Sequence, residues 1–301
     1  MQMTRRTWMT AAAAGPFSAT LAAKSSGYAP RIACQCYVFE QESAQKKVRA
    51  IDRAYEIFAT VHEAGYSAVE LTTSFFPPER TADTLALLDK YKLVLPVAYC
   101  GGPMHDDRAQ QTIDNALAYA ARLKPHGGLE AISFNADPKS AHGGKTDAEL
   151  RVEAASIEKL GAALRAEGLR LLLHQHAPEM AEKAREWRYM LNNTTAANVG
   201  ICMDTHWSLR GGEDALQIAR EAGARIGDMH LRNSKNGVWL QEFAAGDLDY
   251  APIAAELKRL KYRGWLTVEL AWDAKTEITR PLVDNLRRSR EYAAKVFGVK
   301  E

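Results

Sequence analysis

The fold is clearest in residues 168–207, GLRLLLHQHAPEMAEKAREWRYMLNNTTAANVGICMDTHW. It contains an apolar run at 169–173, helical spacing over 178–191 and a second apolar run at 199–203. Short apolar runs on either side of a helix are typical of parallel strands that are buried on both faces. Both runs end in polar residues, HQH at 174–176 and DTHW at 204–207.

The same alternation continues outward from this stretch in both directions. Further strand-like runs lie at 32–37, 68–71, 93–98, 131–134, 226–231 and 265–270. Helical patterns separate them, at 51–64, 84–88, 109–123, 150–168, 213–222, 251–261 and from about 280 onward. About eight strand–helix units in roughly 270 residues predict an α/β fold, a single (β/α)8 TIM barrel. The alternative is an open doubly wound sheet with a glycine-rich turn after its first strand, but VFEQE at 38–42 contains no glycine.

The composition fits one large globular domain behind a short leader. The chain has 301 residues, 47% hydrophobic and 25% charged, which excludes disordered, collagen-like and disulfide-scaffold proteins. We predict a twin-arginine signal peptide at 1–23 and a barrel domain at 24–301. Arg5 and Arg6 precede an alanine-rich run that Pro16 interrupts and that is too short to span a bilayer. Such a leader implies export to the periplasm, whereas a frayed N-terminal helix is the alternative interpretation.

The charge of the chain limits the partners that we expect, and its cysteines indicate the state of the thiols. The chain has 39 Lys and Arg against 37 Asp and Glu, and the excess of two equals the two arginines of the leader. The remaining chain is neutral, so we expect no nucleic-acid partner and, after processing, no membrane partner. The four cysteines form no CxxC pair and are predicted to be buried free thiols.

Polar residues follow four consecutive predicted strands. His174, Asp204, His230 and Glu269 stand at or just after the ends of these strands. Each alone has an ordinary structural interpretation, such as a buried hydrogen-bonded histidine or a helix cap. Four in register are harder to explain that way, because strand ends converge in a barrel and inward carboxylates require a cation or protons. Mixed imidazole and carboxylate ligands suit Mn²⁺, Fe²⁺, Co²⁺ or Zn²⁺.

Five segments carry a family resemblance over about residues 31–298. They are GYSAVEL at 65–71, GLRLLLHQH at 168–176, VGICMDTHW at 199–207, DMHLR at 228–232, and AGDLDY at 245–250 leading to VEL at 268–270. The chain resembles the xylose-isomerase-like TIM barrels, the sugar phosphate isomerase/epimerase superfamily. That resemblance implies one divalent metal, of the Mn, Co, Zn or Fe type, bound by His174, Asp204, His230 and Glu269. It also implies a small-molecule sugar substrate, and it allows a homo-oligomer.

One departure from the family pattern affects the expected mechanism. Many members have glutamate where this chain has His174, and their two metal-binding glutamates act as paired bases. We therefore expect Glu269 to act as a base and His176 or His206 as an acid. The predicted reaction is isomerase- or epimerase-like proton transfer next to the carbonyl of an unphosphorylated sugar or keto-sugar. A lyase or hydratase of 3-keto-glycosides and a non-catalytic sugar-binding barrel are the alternatives.

Four further residues are predicted to bind the substrate: Glu70, His105, Trp207 and Arg232. Tryptophan faces stack on sugar rings, although such side chains are as often part of a core. A DNA-repair nuclease of the endonuclease IV kind shares the barrel, but it requires more metal ligands than this chain supplies. The neutral charge of the domain also disfavours it.

Overall fold

A computed structural model describes residues 27–139 and 144–300. The predicted signal segment at 1–23 lies outside these residues, and export remains a prediction. Eight parallel strands close into a barrel, which confirms the predicted (β/α)8 fold. The barrel strands are β1 (Arg31–Gln35), β2 (Ala68–Thr72), β3 (Val94–Gly102), β4 (Ala131–Ala136), β5 (Arg170–Leu173), β6 (Val199–Asp204), β7 (Ile226–Leu231) and β10 (Trp265–Glu269).

Helices surround the barrel and an antiparallel hairpin covers part of its mouth. The helices are α1 (Tyr37–Gln45), α2 (Ala54–Glu63), α3 (Thr81–Lys90), α4 (Ala109–Leu123), α5 (Asp147–Ala166), α6 (Ala177–Asn193), α7 (Thr205–Arg210), α8 (Ala215–Ala222), α9 (Ala251–Arg259) and α10 (Leu282–Phe297). The hairpin pairs β8 (Ser234–Lys235) with β9 (Val238–Trp239), and the sequence pattern did not predict it. Helix α6 is interrupted at 181–184, where three residues have positive φ.

The interior of the barrel changes from apolar to polar toward the carboxyl ends of the strands. Seven buried side chains, one from each of seven strands, form an apolar cluster: Ala33, Ala68, Val97, Ala131, Leu172, Cys202 and Trp265. Because alternate residues of a strand share a face, the side chains two positions later point the same way. These are almost all polar: Gln35, Glu70, Tyr99, Ser133, His174, Asp204 and Thr267. The strand pattern itself therefore places a buried polar layer at the C-terminal end of the barrel.

The outer faces of the strands pack against the helices in the main apolar core. All four cysteines are buried and free, as predicted. No helix within the described part of the chain is long and apolar enough to cross a membrane.

Candidate active site

The four predicted ligand residues meet at the C-terminal mouth of the barrel. Ligand atoms of His174, Asp204, His230 and Glu269 all lie within 4.8 Å of one another, and all four residues are buried. Asp204, His230 and Glu269 belong to β6, β7 and β10, and His174 directly follows β5; these four strands are neighbours in the barrel. We call these four residues the ligand cluster.

His174 is oriented as a metal ligand would be. Its Nδ1 lies 3.1 Å from Oδ1 of Asn135, and this contact fixes the ring. Its Nε2 is buried, has no hydrogen-bond partner among residues 27–139 and 144–300, and lies 3.8 Å from Oδ2 of Asp204. Burial, reinforced by the nearby His230, lowers the pKa of His174 well below its usual value, so the ring is neutral. A neutral imidazole with a free nitrogen inside a buried cluster is suited to bind a cation.

His230 is held between carboxylates on both sides of its ring. Its Nδ1 lies 3.0 Å from Oε2 of Glu269, and its Nε2 lies 3.1 Å from Oε1 of Glu70. Asp228 lies behind the same nitrogen, with its Oδ2 3.9 Å from Nε2, and accepts a hydrogen bond from Thr267. A carboxylate that accepts from one ring nitrogen of a histidine fixes the tautomer and leaves the other nitrogen for a metal.

Glu70, predicted to bind substrate, has a different position in the structure. It lies in the middle of β2, is fully buried and does not line the cavity at the mouth. Sequence reasoning assigned no role to Asp228, although the inward alternation Asp228, His230, Arg232 along β7 and beyond its end was a usable signal.

Arg232 neutralises the two carboxylates of the ligand cluster. Its guanidinium donates to Oδ2 of Asp204 at 2.5 Å and to Oε2 of Glu269 at 3.0 Å. It also lies over the rings of Trp207 and Trp239, 5.2 and 4.9 Å from their centroids. Burial raises the pKa of Glu269, but Arg232 and His230 outweigh it and hold that pKa at about 2. Glu269 is therefore ionised at neutral pH.

A cavity of about 360 Å³ opens above the ligand cluster. Of the four cluster residues, Glu269 alone lines it. The predicted residues His176, Trp207 and Arg232 also line it. Trp239, another tryptophan suited to stack on a sugar ring, lines the cavity as well. Sequence reasoning missed the rest of the wall, which consists of Gln35, Tyr37, Glu40, Thr72, Thr73, Ser74, Tyr99, Cys100 and Gly101. Many of these residues lie at or beyond the ends of β1, β2 and β3, where the sequence shows no charged cluster.

The three other histidines predicted to belong to the site have different surroundings in the structure. His176 lines the cavity, with its ring edge-on to Trp207 at 5.3 Å. His206 has both nitrogens occupied, since Nε2 lies 2.9 Å from Oγ of Ser234 and Nδ1 accepts from Nε1 of Trp239. His206 therefore positions Trp239. His105 is buried and does not line the cavity; its Nε2 lies 3.8 Å from Asp106.

The donor set fits a divalent transition metal. Two imidazoles and two carboxylates converge, and Nε2 of His174 has no hydrogen-bond partner within the described part of the chain. Such a mixed nitrogen and oxygen set favours Mn²⁺, Fe²⁺, Co²⁺ or Zn²⁺ over Ca²⁺ or Mg²⁺. Two overlapping groups, one with Cys202 and one with Glu70 and Asp228, use His230 as well.

Comparisons with known proteins identify the family of this barrel. A family model described as xylose isomerase-like TIM barrel matches residues 58–295. The inosose dehydratase of Geobacillus kaustophilus is 25% identical over 250 residues, which cover 72% of this chain and 80% of that protein. The rhizopine catabolism protein MocC of Rhizobium meliloti is 21% identical, and the alignment covers 72% of this chain and 74% of that protein.

Solved structures show the same fold. D-allulose 3-epimerase from Methylomonas sp., in complex with D-allulose, superposes with a TM-score of 0.71 at 18% identity. The superposition covers 89% of this chain and 97% of that chain. The match of the family model extends over most of the barrel, as the resemblance implied. The chain belongs to the xylose isomerase-like TIM barrel family.

Proposed function

We propose that the protein is a carbohydrate-modifying enzyme that catalyses β-elimination from a keto-sugar or keto-cyclitol. The observation that carries this proposal is the composition of the cavity wall. It presents one carboxylate of the ligand cluster, Glu269, and one imidazole, His176. Relatives named inosose dehydratase support it, because a dehydratase removes water by elimination and an inosose is a cyclic polyol that carries a ketone.

A divalent ion of the Mn, Co, Zn or Fe type, held by His174, Asp204, His230 and Glu269, would stabilise negative charge on the substrate oxygen. Arg232 lies beside both carboxylates and can also bind a developing oxyanion.

His176 is the group proposed to move the proton. Burial lowers its pKa to about 4, so the ring is neutral at pH 7 and can accept a proton. It takes the proton from the carbon next to the carbonyl, and the electron pair of that C–H bond forms a C=C bond with the neighbouring carbon. The C–O bond on that neighbouring carbon breaks, and the imidazolium returns the proton to the leaving oxygen.

Glu269 then has an electrostatic role in place of the base role that the sequence suggested. With a pKa of about 2 it is a weak base, but its charge stabilises the imidazolium of His176. Epimerisation requires proton donors and acceptors on both faces of one carbon. The residue at the second family position, His174, faces the ligand cluster and does not line the cavity. The geometry therefore favours elimination over epimerisation.

The test is turnover of a keto-substrate by metal-loaded protein in D₂O. We expect a new unsaturated ketone, detected by its ultraviolet absorbance and by mass spectrometry, from an inosose or a 3-keto-glycoside. Inversion of the carbon with deuterium incorporation and no elimination would show an epimerase. Binding without exchange or product would show a non-catalytic sugar-binding barrel.

We also propose that residues 1–23 direct export through the twin-arginine pathway. The paired Arg5 and Arg6 support this proposal. A reporter fused to this segment should reach the periplasm and should stay in the cytoplasm when both arginines are replaced by lysine. A reporter that is exported equally in both forms would contradict the proposal.

A further inference from the structure

The segment AGDLDY at 245–250, one of the five that carry the family resemblance, packs directly on the β8–β9 hairpin. The amide of Asp247 donates to the carbonyl oxygen of Ser234 at 2.7 Å. A Cβ on Gly246 would collide with that same oxygen, so this close approach requires glycine. The segment therefore has a use at the mouth of the barrel that neither the ligand cluster nor the proposed reaction explains.

The carboxylate of Asp247 caps the turn of the hairpin. Its Oδ1 accepts from the amide of Asn236 at 2.8 Å, and its Oδ2 accepts from the amide of Gly237 at 2.8 Å. Both turn residues have positive φ, as in the two-residue turns that join antiparallel strands. Oδ2 of Asp247 also accepts from Oγ of Ser234 at 2.6 Å. One carboxylate thus holds both the turn and the hydroxyl of Ser234.

Ser234 connects this carboxylate to the wall of the cavity through His206. Nε2 of His206 lies 2.9 Å from Oγ of Ser234, and Nδ1 of His206 lies 3.1 Å from Nε1 of Trp239. An indole N–H can only donate, so Nδ1 of His206 accepts and the N–H of the ring is on Nε2. Nε2 then donates to Ser234, whose own hydrogen goes to Asp247. All three hydrogen bonds therefore run in one direction, from Trp239 to Asp247.

The backbone of Trp239 is held separately, by residues that follow β10. Its amide donates to Oδ2 of Asp273 at 3.1 Å, and its carbonyl oxygen accepts from Oγ1 of Thr276 at 3.0 Å. The indole ring lines the cavity, and its centroid lies 4.9 Å from the guanidinium carbon of Arg232. A change in the side-chain hydrogen bonds of Trp239 can therefore move the ring while the backbone stays in place.

We propose that Asp247 is a positioning residue for the substrate cavity. It acts through Ser234 and His206 on the angle of the Trp239 indole. That indole forms part of the cavity wall and makes a cation–π contact with Arg232. The inference deepens the proposed function and rests on it, because the same cavity is proposed to bind the keto-substrate. Asp247 itself does not line the cavity, so its effect on the substrate passes through these side chains.

The first experiment follows the indole N–H proton of Trp239 by nuclear magnetic resonance in the whole protein without substrate. Its signal is assigned by its loss in Trp239→Phe, and we expect the wild type to have His206 in the Nε2–H form. Ser234→Ala removes only a hydroxyl, and Asp247→Ala removes the carboxylate. In both variants the indole proton should exchange with solvent at least about fivefold faster, the factor that corresponds to one lost hydrogen bond.

Asp249→Ala is the matched control, because it removes a carboxylate of the same segment that accepts from the amide of Ala251 and caps α9. We expect it to leave the exchange of the indole proton unchanged. Exchange that is as slow in Ser234→Ala and Asp247→Ala as in the wild type would overturn the proposal. The same acceleration in Asp249→Ala, or an Nδ1–H form of His206 in the wild type, would overturn it as well.

The second experiment measures whether the position of the ring affects the cavity. With a keto-substrate, metal-loaded Ser234→Ala should have a KM about threefold to tenfold higher than the wild type and a kcat within about a factor of two. An unchanged KM would overturn the link between Asp247 and the cavity. Failure of the wild type to convert any keto-substrate, with exchange rates that differ as expected, would overturn the proposed function alone.

Discussion

The two ends of the barrel use the same residue types in opposite ways. At the N-terminal end, Arg31 pairs with Glu130 through bonds of 2.5 and 2.7 Å, and the guanidinium lies 4.0 Å above the ring of Trp265. At the C-terminal end, Arg232 pairs with Asp204 and Glu269 and lies over two tryptophans. Both ends therefore combine arginine, carboxylate and tryptophan.

The two ends of the barrel differ in how deeply these side chains are buried. The side chains of Arg31 and Glu130 are 43% and 44% exposed, whereas those of Arg232 and Asp204 are 4% and 0% exposed. Buried polar atoms without partners occur at the C-terminal end, including Nε2 of His174 and Nε of Arg232. Leaving such groups unsatisfied costs free energy, which a bound ligand recovers. The comparison indicates that the exposed cluster closes one end of the barrel, whereas the buried cluster at the other end keeps polar atoms available for a ligand.

The largest expected effect comes from the carboxylate that both belongs to the ligand cluster and lines the cavity. Glu269→Gln removes its charge while keeping its size. We expect kcat to fall on the order of 10²–10³-fold, since one preorganised electrostatic group is lost. Steady-state turnover of a keto-substrate measures this. Activity within a factor of two of the wild type would show that the C-terminal mouth is not the reaction site.

His176→Gln should have an effect of similar or slightly smaller size through proton transfer alone. We expect kcat to fall at least about 10²-fold, the usual contribution of a general base, while the metal content stays unchanged. Because the base acts when neutral, kcat/KM of the wild type should fall as the pH drops through about 4. His206→Gln is the matched comparison, because it should alter substrate binding through Trp239 and leave this acidic limb in place. An acidic limb that persists in the His176→Gln profile would contradict the assignment.

Glu70→Gln tests whether the polar layer beneath the ligand cluster supports metal binding. Glu70 contacts Nε2 of His230, so its replacement should weaken metal binding about 10–100-fold through the orientation of that ring. Competition with a chelator of known affinity measures this change. An unchanged metal affinity would mean that Glu70 is only a buried structural carboxyl group.

Glu130→Gln, at the N-terminal end, should have the smallest effect. The pair with Arg31 is nearly half exposed, so we expect the free energy of unfolding to change by less than about 1 kcal/mol. Activity and metal content should match the wild type. A loss of activity comparable to that of Glu269→Gln would remove the distinction between the two ends.

The sequence predicted the barrel and the convergence of the ligand cluster because both follow from strand periodicity. Apolar runs mark the strands, and a polar residue at the end of each of four strands marks the mouth. The predicted run at 68–71 contains Glu70, and the strand extends from Ala68 to Thr72, so the Glu70 side chain is fully buried within the barrel below the cavity. The position of Trp239 depends on a short hairpin with two-residue strands, too short to leave a periodic signal.

The sequence also did not predict the orientation of the side chains. Three histidines follow neighbouring strands, but their surroundings differ. His174 faces the ligand cluster, His176 lines the cavity, and His206 binds Ser234 and Trp239. Only tertiary contacts decide between these roles.

Metal analysis of three purified proteins tests whether the C-terminal mouth of the barrel is a metal site. The wild type and Glu130→Gln should each hold about one divalent ion per chain, and His230→Ala should hold almost none while remaining folded by circular dichroism. Equal metal content in all three proteins, or none in the wild type, would contradict the assignment of the C-terminal mouth as a metal-dependent site.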